Sequence, residues 1–542
     1  MSGSANIAAH LSARAQTHPT QIAYQGRIGR RQFQATYAEL DERTNRIAHG
    51  LRAIDVTRGT HVALMQPPGP DFFALVFALF RLGTVPILID PGMGVKGLGK
   101  CLAESEPAAF IGTMRAHIAR ILFRWAKGAR IFVRTTGRLG PGLSLTGLER
   151  LGSARTGTIM EDVAPHTIAA ILFTSGSTGP AKGAVYTYEI FQEQIKVLKS
   201  SFNIEPGEID LCTFPLFALF APALGMTAVV PDMDASRPAQ ADPAHLARLI
   251  QDYRVTNLFG SPALVKNLAQ ECLRRQIVFD SVKRVISAGA PVSATIIEET
   301  AKMLAPRVQV FTPYGATEAL PAAIIGSDEI LGETRAKTDQ GAGICVGRPA
   351  GRIEIAIIPI SDGPIAEWTD VTPLSANEIG EIAVRGRVVS PAYFNRADLT
   401  ALAKIPDRAT DTFWHRMGDV GYIDDVGRLW FCGRKSHRVV TPQRTYFTIP
   451  CEAIFNMCNK GHLRTALVCA QGRPVICVEW AGRHSAPKLE IERELREAGK
   501  RYEHTRAIRD FLFYSQPFPV DVRHNAKINR EKLAEWAARQ LP

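Results

Sequence analysis

Short runs of β-branched and other apolar residues alternate with helical patterns through the first part of the chain. The runs that predict strands are residues 62–65, 85–89, 108–111, 130–133, 169–173 and 282–287. Strands that alternate with helices in this way are typical of layered folds with largely parallel sheets. We therefore predict an α/β protein.

The pattern changes after residue 432. A polar, basic stretch comes next, followed by two short strands and two helices, at 435–450, 466–468, 474–479, 489–498 and 530–538. A chain of 542 residues also exceeds what one hydrophobic core usually organises. We therefore predict two domains, residues 1–432 and 433–542.

Two apolar stretches have to be weighed as membrane spans. Residues 72–80 and 214–230 are both shorter than the roughly twenty residues of a spanning helix, so we interpret them as core helix or pocket lining. Residues 1–24 lack the continuous apolar core of a signal peptide. The nine cysteines show no CxxC pair and no matching histidine cluster, so we expect neither a disulfide framework nor a zinc site. A cytoplasmic globular enzyme is the expectation.

The net charge of +12 is unevenly spread. No acidic residue lies between Glu106 and Glu149, a stretch that holds Arg115, Arg120, Arg124, Lys127, Arg130, Arg134 and Arg138. Apolar residues recur there at helical spacing and predict a basic amphipathic helix. They are Ile118, Ile121, Leu122 and Trp125. Either this stripe packs on the core beneath a solvated basic face, or the helix contacts anionic lipid or an acidic protein partner. Nucleic acid is a weaker third choice that we do not expect, because no stacking-aromatic motif accompanies the charge.

A loop suited to phosphate follows the apolar run 169–173. Its residues are Thr174, Ser175, Gly176, Ser177, Thr178, Gly179, Pro180, Ala181, Lys182 and Gly183. Backbone N–H groups, four hydroxyls and one ammonium can together wrap phosphate oxygens. The loop is not of the Walker type, because Lys182 follows alanine rather than glycine. A glycine pattern at 92, 94 and 97 does not indicate a dinucleotide fold, since residues 107–148 offer no carboxylate for a ribose.

From this loop onward the sequence resembles the adenylate-forming superfamily of acyl-CoA synthetases, peptide-synthetase adenylation domains and luciferases. Residues 287–291 resemble the segment that borders adenine in that family. The nucleotide-binding residues implied there are Gly289, Ala290 and Pro291. Residues 314–318 resemble the motif whose tyrosine stacks on adenine, whose threonine meets the α-phosphate and whose glutamate holds magnesium. The residues implied there are Tyr314, Gly315, Thr317 and Glu318.

Three further matches follow in the family's order. Asp419 resembles the aspartate that accepts both ribose hydroxyls, and Arg434 resembles the arginine before the interdomain hinge. Ser436 occupies the hinge position, where the family usually carries Asp or Lys. Lys527 resembles the lysine that bridges the carboxylate and the α-phosphate, where it would stabilise charge during adenylation. The resemblance implies a large N-terminal domain of layered sheets and helices with a small, mobile α+β C-terminal domain. It also implies ATP and Mg²⁺ as cofactors, with three catalytic residues: Lys527, Lys182 and Glu318.

Two departures argue against the thiol transfer that most members of the superfamily carry out next. Gln443 stands where a glycine is expected to let the thiol tunnel pass close to the backbone. Residues 214–218 lack the histidine that often ends this segment. The chain here resembles the β-lactone synthetases of olefin biosynthesis, in segments 214–226, 312–321, 416–422, 429–438 and 518–533. Such enzymes adenylate a long-chain 2-alkyl-3-hydroxy acid and let its own β-hydroxyl close a four-membered ring and expel AMP.

A substrate with two alkyl arms needs apolar walls. The candidates are Phe214, Phe217, Leu219, Phe220 and Leu224, for which ordinary core packing is the alternative. The resemblance further implies a complex with the reductase and decarboxylase of the same pathway. Two other functions stay open at this point. A long-chain acyl-CoA or acyl-AMP ligase shares every ATP-site residue, whereas a catalytically silent scaffold disagrees with the intact lysines and carboxylates.

Overall fold

We describe the protein from a computed structural model. In the part of the chain that the structure describes, the strands form two large sheets and two small ones. The structure describes residues 5–29, 31–137, 140–174, 181–214, 219–461, 463–481, 487–520 and 528–541. The strands are β1 (Ile22–Ile28), β2 (Arg31–Thr36), β3 (His61–Met65), β4 (Val85–Ile89), β5 (Ala109–Gly112), β6 (Ile131–Arg134), β7 (Leu143–Ser144), β8 (Ile168–Thr174), β9 (Lys182–Thr187), β10 (Ile209–Cys212), β11 (Thr227–Val230), β12 (Asn257–Gly260), β13 (Arg284–Ser287), β14 (Gln309–Ala316), β15 (Ala319–Gly326), β16 (Ile344–Pro349), β17 (Glu354–Ile358), β18 (Gly380–Arg385), β19 (Lys404–Asp407), β20 (Thr412–Ile423), β21 (Leu429–Arg434), β22 (Val439–Val440), β23 (Thr445–Tyr446), β24 (Thr465–Ala470), β25 (Arg473–Glu479) and β26 (Asp510–Tyr514). The α-helices are α1 (Ala8–Thr17), α2 (Tyr37–Ala53), α3 (Pro70–Arg81), α4 (Gly94–Ser105), α5 (Met114–Leu122), α6 (Leu145–Ser153), α7 (Tyr188–Phe202), α8 (Phe220–Ala223), α9 (Pro243–Asp252), α10 (Pro262–Arg275), α11 (Ala294–Ala301), α12 (Ser327–Glu329), α13 (Arg335–Asp339), α14 (Ala397–Ala403), α15 (Thr448–Asn456), α16 (Cys458–Gly461), α17 (Lys488–Lys500) and α18 (Arg530–Gln540).

The smaller of the two large sheets has the strand order β7-β6-β5-β3-β4-β8-β9. Its neighbours pair in parallel except at the last step, where β8 and β9 form an antiparallel pair. The strands that the apolar runs predict here all form, with ends that differ by at most one residue. The prediction of an α/β fold is confirmed.

The larger sheet changes from parallel to antiparallel pairing along its width. Strands β11, β10, β12, β13 and β14 are parallel neighbours. From β14 onward the order β15, β16, β21, β20, β18 and β17 is antiparallel throughout. The change occurs at the β14–β15 hairpin, which carries residues 314–318.

The main core lies between the two large sheets. Helix α3 is packed inside it, and its residues from Phe72 to Phe80 are at most 4% exposed. The same cluster takes in side chains of both sheets, for example Val62 of β3 and Val230 of β11. The interpretation of residues 72–80 as a core helix is confirmed. Among the described residues, no helix is long and apolar enough to cross a membrane.

The last hundred residues pack around a small sheet of their own, in the order β24-β25-β26. One face of this sheet packs against α15 and α17, with Phe455 and Leu495 in the cluster. The other face packs against α18 through Leu533. The predicted strands and helices of this region are therefore present. The boundary at 432/433 and the mobility of the small domain stay predictions.

Helix α5 forms where the basic amphipathic pattern predicts a helix, but most of its apolar stripe points to solvent. Trp125, just beyond the helix, is 7% exposed and lies in a core cluster. Ile118 and Ile121 are each 57% exposed and Leu122 is 71% exposed. The prediction that this stripe packs on the core is wrong for these three residues. The inner face of α5 is occupied instead by residues such as His117, which is fully buried.

Candidate active site

The carboxyl ends of β13 and β14 lie side by side at one edge of the larger sheet, because the two strands are parallel neighbours. The loop with Gly289, Ala290 and Pro291 leaves β13 at this edge, and Tyr314 lies near the end of β14. Ligands of α/β proteins bind at such carboxyl edges. The fold thus brings the predicted adenine-bordering segment to the strand that carries the predicted stacking tyrosine.

Gly315 allows the β14–β15 hairpin to close tightly. A Cβ atom at this position would lie 2.5 Å from the carbonyl oxygen of Ala319 and 2.9 Å from Cδ1 of Leu320. A side chain is excluded by that approach, which is the usual reason for a glycine inside a strand. The short turn that follows carries Thr317 and Glu318, so the hairpin positions both predicted polar residues.

Asp419 is held from two sides. The register of β20 and β21 places it opposite Arg434, whose Nη1 lies 3.0 Å from Oδ1 of the carboxylate. The hydroxyl of Tyr314 donates a hydrogen bond to Oδ2 over 2.7 Å. Burial and the neighbouring carboxylate raise the pKa of Tyr314 well above its ordinary value, and Asp419 raises the pKa of Arg434. Tyr314 therefore stays a neutral donor, and Tyr314 and Arg434 together fix the orientation of the carboxylate.

Glu318, Tyr393 and Lys182 form a second polar group. The Tyr393 hydroxyl donates to Oε1 of Glu318 over 2.6 Å. Nζ of Lys182 lies 5.0 Å from the centre of the Tyr393 ring, within the range of a cation–π contact. Burial, and then the charge of Glu318, raise the pKa of Tyr393 far above its ordinary value, so its hydroxyl stays protonated. One neutral tyrosine thus connects the predicted phosphate-binding lysine with the predicted metal-binding carboxylate.

The stretch that carries Tyr393 joins the two large sheets. Tyr393 itself forms an isolated bridge with Ala184 of β9, and Val389 forms one with Ala319 of β15. This stretch explains why Lys182 and Glu318, which belong to different sheets, lie in one group.

Three buried or half-buried side chains of this site were missed by the sequence reasoning. Tyr393 is one, and Tyr186 is another, because its hydroxyl donates to the carbonyl oxygen of Thr317 over 2.6 Å. The third is Lys404, whose Nζ donates to the carbonyl oxygen of Ser390. Burial lowers the pKa of Lys404 to about 7, while the charge of Glu318 opposes that shift. None of the three belongs to a motif, so only the folded chain reveals them.

The central residues of the phosphate loop and the C-terminal lysine lie outside the described residues; they are Ser175, Gly176, Ser177, Thr178, Gly179 and Lys527. The two ends of the loop are described. Thr174 of β8 pairs with Lys182 of β9 in the antiparallel register. The loop therefore starts and ends at one edge of the smaller sheet, which is the edge that Tyr393 contacts through β9.

A cavity of about 1080 Å³ extends between the two large sheets. Phe173, directly before the phosphate loop, and Phe214 both line it. Leu219, Phe220 and Leu224 are instead buried members of the main core, so core packing is the correct description for these three candidates. Phe217 lies outside the described residues. Of the described candidates for substrate walls, Phe214 therefore lines the large cavity.

Comparison with known proteins agrees with this arrangement. The sequence profile described as AMP-binding enzyme matches residues 11–394, which is most of the chain. The chain belongs to the AMP-binding enzyme family. Membership makes it an AMP-forming enzyme that uses ATP to activate a carboxylic acid, and this agrees with the polar groups at the sheet edges.

Two members of the AMP-binding family are similar to this chain over its whole length. Both are olefin β-lactone synthetases, one from Xanthomonas campestris pv. campestris and one from Stenotrophomonas maltophilia. Each is 46% identical to this chain, over 99% of this chain and 98% of the relative.

Solved structures of other enzymes share the fold. An amide bond synthetase from Marinactinospora thermotolerans has a TM-score of 0.78 at 20% identity and covers 98% of this chain and 100% of its own. A fatty acyl CoA synthetase from Mycobacterium tuberculosis has a TM-score of 0.73 at 19% identity, with 99% of both chains covered. At such identities the likeness concerns the fold alone.

Proposed function

We propose that this protein activates a long-chain 2-alkyl-3-hydroxy acid as its acyl-adenylate and closes the adenylate to a β-lactone, releasing pyrophosphate and then AMP. The observation that carries the proposal is the 46% identity to olefin β-lactone synthetases over nearly the whole chain. The long-chain acyl-CoA or acyl-AMP ligase is the less supported alternative, since a long-chain-fatty-acid–CoA ligase from Mycobacterium tuberculosis is 23% identical over 77% of this chain.

In the first step, the acid's carboxylate oxygen attacks the α-phosphorus of ATP and pyrophosphate leaves. Tyr314 would stack on adenine, and its hydrogen bond to Asp419 would fix the ring in place. Asp419 would accept the ribose hydroxyls, since an ionised carboxylate has two acceptor oxygens. Lys182 and the phosphate loop would hold the phosphates. Lys527 would stabilise the charge that develops between carboxylate and α-phosphate.

The residues present fit a magnesium ion held mainly by the nucleotide. Mg²⁺ is usually bound by one or two carboxylates together with substrate phosphates and water, rather than by a cage of protein ligands. Glu318 offers one carboxylate, and the described residues contain no cluster of three or more His, Cys, Asp or Glu side chains. When bound, the ion would neutralise phosphate charge. Tyr393 would orient Glu318 for this role by donating to one of its oxygens.

This arrangement predicts two different changes in a magnesium titration. Glu318→Gln removes the charge and should markedly weaken the dependence of adenylation on Mg²⁺. Tyr393→Phe removes one hydrogen bond to a charged group, which costs about 1.5–3 kcal/mol, and should shift the same titration by less. Tyr422→Phe is the matched control, since its hydroxyl donates to the carbonyl oxygen of Ala342 instead. An unaltered titration for Glu318→Gln would refute the assignment.

In the second step, the β-hydroxyl oxygen bonds to the acyl carbon, the bond from that carbon to the phosphate oxygen breaks, and AMP leaves. The hydroxyl proton passes to a base. An internal nucleophile needs no second substrate site. Intramolecular attack can replace about 7–11 kcal/mol of entropy and reorganisation cost, although strain in the four-membered ring offsets part of it.

The residue type at position 443, where the resemblance leads us to expect a tunnel glycine, favours an internal acceptor over an external thiol. Gln443 is exposed in the short turn between β22 and β23 and is not among the residues with left-handed backbone. The turn is closed by Thr441, whose Oγ1 donates to the carbonyl oxygen of Arg444 over 2.9 Å. A side chain therefore occupies the position that a thiol tunnel would leave to glycine.

The proposal includes partners and a compartment. The substrate is a small molecule, a long-chain β-hydroxy acid, and the neighbouring enzymes of the pathway, a reductase and a decarboxylase, are proposed to form a complex with this chain. A reducing, cytoplasmic setting is supported by the nine cysteines, all described, none of which is in a disulfide.

The experiment that tests the proposed function is turnover without an acceptor. Purified protein with a 2-alkyl-3-hydroxy acid, ATP and Mg²⁺, but no thiol, should release AMP and pyrophosphate continuously in equal amounts. Measurement of AMP and of pyrophosphate over time checks this. If AMP appears only after CoA is added, the ligase alternative takes the place of the proposal.

A further inference from the structure

Helix α5 presents an apolar surface to solvent. We define the α5 surface as Ile118, Ile121, Leu122 and Phe123 together with the exposed cations Arg115, Arg124, Lys127 and Arg130. Four of the fourteen large apolar residues that are exposed in the described part of the chain fall within these six consecutive positions. The others are scattered, and single exposed apolar residues are normal.

The exposure does not come from a loosely held helix. Thr113 caps the start of α5 by accepting from the backbone N–H of Ala116. On the inner face, Nε2 of His117 lies 3.0 Å from the carbonyl oxygen of Val133. The guanidinium of Arg120 lies 4.1 Å from the centre of the Phe132 ring. Since the inner face is fixed to the smaller sheet, the outer face is a rigid apolar surface.

Cations flank the apolar side chains of the α5 surface. Arg115 precedes Ile118 by three residues, and Leu122 follows Ile118 by four, so all three lie on one face of the helix. Arg124 and Lys127 follow in the next turn of the chain. Helix α4 adds the exposed Lys96 and Lys100 nearby, because Gly99 of α4 packs against Trp125. The sequence has no carboxylate between residues 107 and 148, the stretch that carries Arg115, Arg124, Lys127 and Arg130.

We propose that the α5 surface docks on an anionic lipid bilayer, with Ile118, Ile121, Leu122 and Phe123 inserted below the head groups. Apolar side chains within a ring of Lys and Arg are the combination that binds such an interface. A nucleic acid would use the cations and leave the aliphatic side chains in water. Protein interfaces centre on aromatic or Arg anchors that fill pockets of the partner, whereas three of the four apolar residues here are aliphatic and lie side by side on a convex surface.

The α5 surface lies close to the large cavity between the two sheets. Thr113, which caps α5, and Ala116, in its first turn, line the same cavity as Phe173 and Phe214. The helix therefore lies between the proposed lipid surface and the cavity beside the phosphate loop. If the proposed function holds, a poorly soluble acid or lactone would exchange with the bilayer there. This exchange rests on the proposed function, whereas the docking does not.

Vesicle flotation tests the docking. The full chain is mixed with vesicles of phosphatidylcholine, or of phosphatidylcholine and phosphatidylglycerol in equal amounts, at low and high salt. We expect binding to the anionic vesicles, weakened by salt, and little binding to the neutral ones. Ile121→Glu with Leu122→Glu should abolish flotation at both salt concentrations. Arg124→Glu with Lys127→Glu should weaken binding about a hundredfold at low salt.

Matched controls keep the result specific. Leu489→Glu changes a leucine that is 81% exposed in α17, and Lys266→Glu with Lys302→Glu reverses two exposed lysines elsewhere. Both controls should float like the wild type. Pyrophosphate release from detergent-dispersed acid should be unchanged in every variant, so a failure of the proposed function appears in that assay and a failure of docking appears only in flotation.

Two results would overturn the proposal. One is wild-type protein that ignores anionic vesicles or binds neutral ones equally well. The other is flotation of the α5 variants at wild-type level. If the wild type fails to float while the α5 variants lose association with the pathway's reductase or decarboxylase, the surface belongs to a protein interface and the lipid proposal is wrong.

Discussion

Lys527→Ala should slow adenylate formation by about a hundred- to a thousandfold while the binding of ATP changes little. A preorganised donor aimed at charge that develops only in the transition state contributes about 2.7–4 kcal/mol to the barrier. Lysine at this position would meet the carboxylate and the α-phosphate during the attack, and the ground-state complex retains its other phosphate contacts. The loss should therefore fall on kcat and on kcat/KM together. Single-turnover pyrophosphate release and equilibrium ATP binding measure the two quantities separately.

Lys532→Ala is the matched control for this variant. Lys532 is an exposed lysine in the first turn of α18, close to Lys527 along the chain. Its removal should leave both quantities at the wild-type level. Wild-type turnover of Lys527→Ala would show that the C-terminal lysine does not act in adenylation.

Removing the β-hydroxyl of the substrate should stop turnover after activation. A 2-alkyl acid of the same length can still form the adenylate, but the adenylate then lacks its internal nucleophile. We expect one burst of pyrophosphate, about one molecule for each active site, followed by a stable bound intermediate. A rapid-quench measurement of pyrophosphate against enzyme concentration gives the burst amplitude.

The hydroxylated acid is the control for the burst and should give continuous release. Adding CoA to the stalled complex should not restart turnover, because Gln443 stands where a tunnel glycine is expected. Steady pyrophosphate release from the acid without a hydroxyl, with or without CoA, would mean that another acceptor takes the acyl group.

Many strands could be predicted from the sequence, because a buried strand requires a short run of apolar residues that is visible locally. The run at 85–89 is β4 to the residue, and the run at 169–173 falls within β8. Both strands are buried centrally in a parallel sheet, where nearly every position is apolar. The motifs at 287–291 and 314–318 could be recognised for a similar reason, since the first follows the end of β13 and the second lies at the β14–β15 hairpin.

Contacts between distant segments could not be predicted in this way. Tyr393 reaches Glu318 only because the stretch after β18 crosses from one large sheet to the other. Nothing local distinguishes it from other tyrosines. Lys404 could not be identified from the sequence either. Its lowered pKa results from burial, and the burial of a lysine is not visible in the sequence.

The α5 surface shows a different limit of prediction from sequence. Helical spacing identifies residues that share a face, and it does so correctly for Ile118 and Leu122. It does not say whether that face points to the core or to solvent. In α5 the inner positions are filled by Ala116, His117 and Arg120. Nε2 of His117 lies within hydrogen-bond distance of the carbonyl oxygen of Val133, and the Arg120 guanidinium lies over the Phe132 ring. The more apolar side is left outside.

The central claim is that the adenylate closes on itself, and the identity of the product tests it most directly. A 2-alkyl-3-hydroxy acid labelled at the carboxyl carbon is incubated with the protein, ATP and Mg²⁺ in the presence of CoA, and the organic extract is examined by carbon NMR. The account predicts the β-lactone as the labelled product, formed at the same rate with and without CoA. A labelled thioester, formed only when CoA is present, would contradict it.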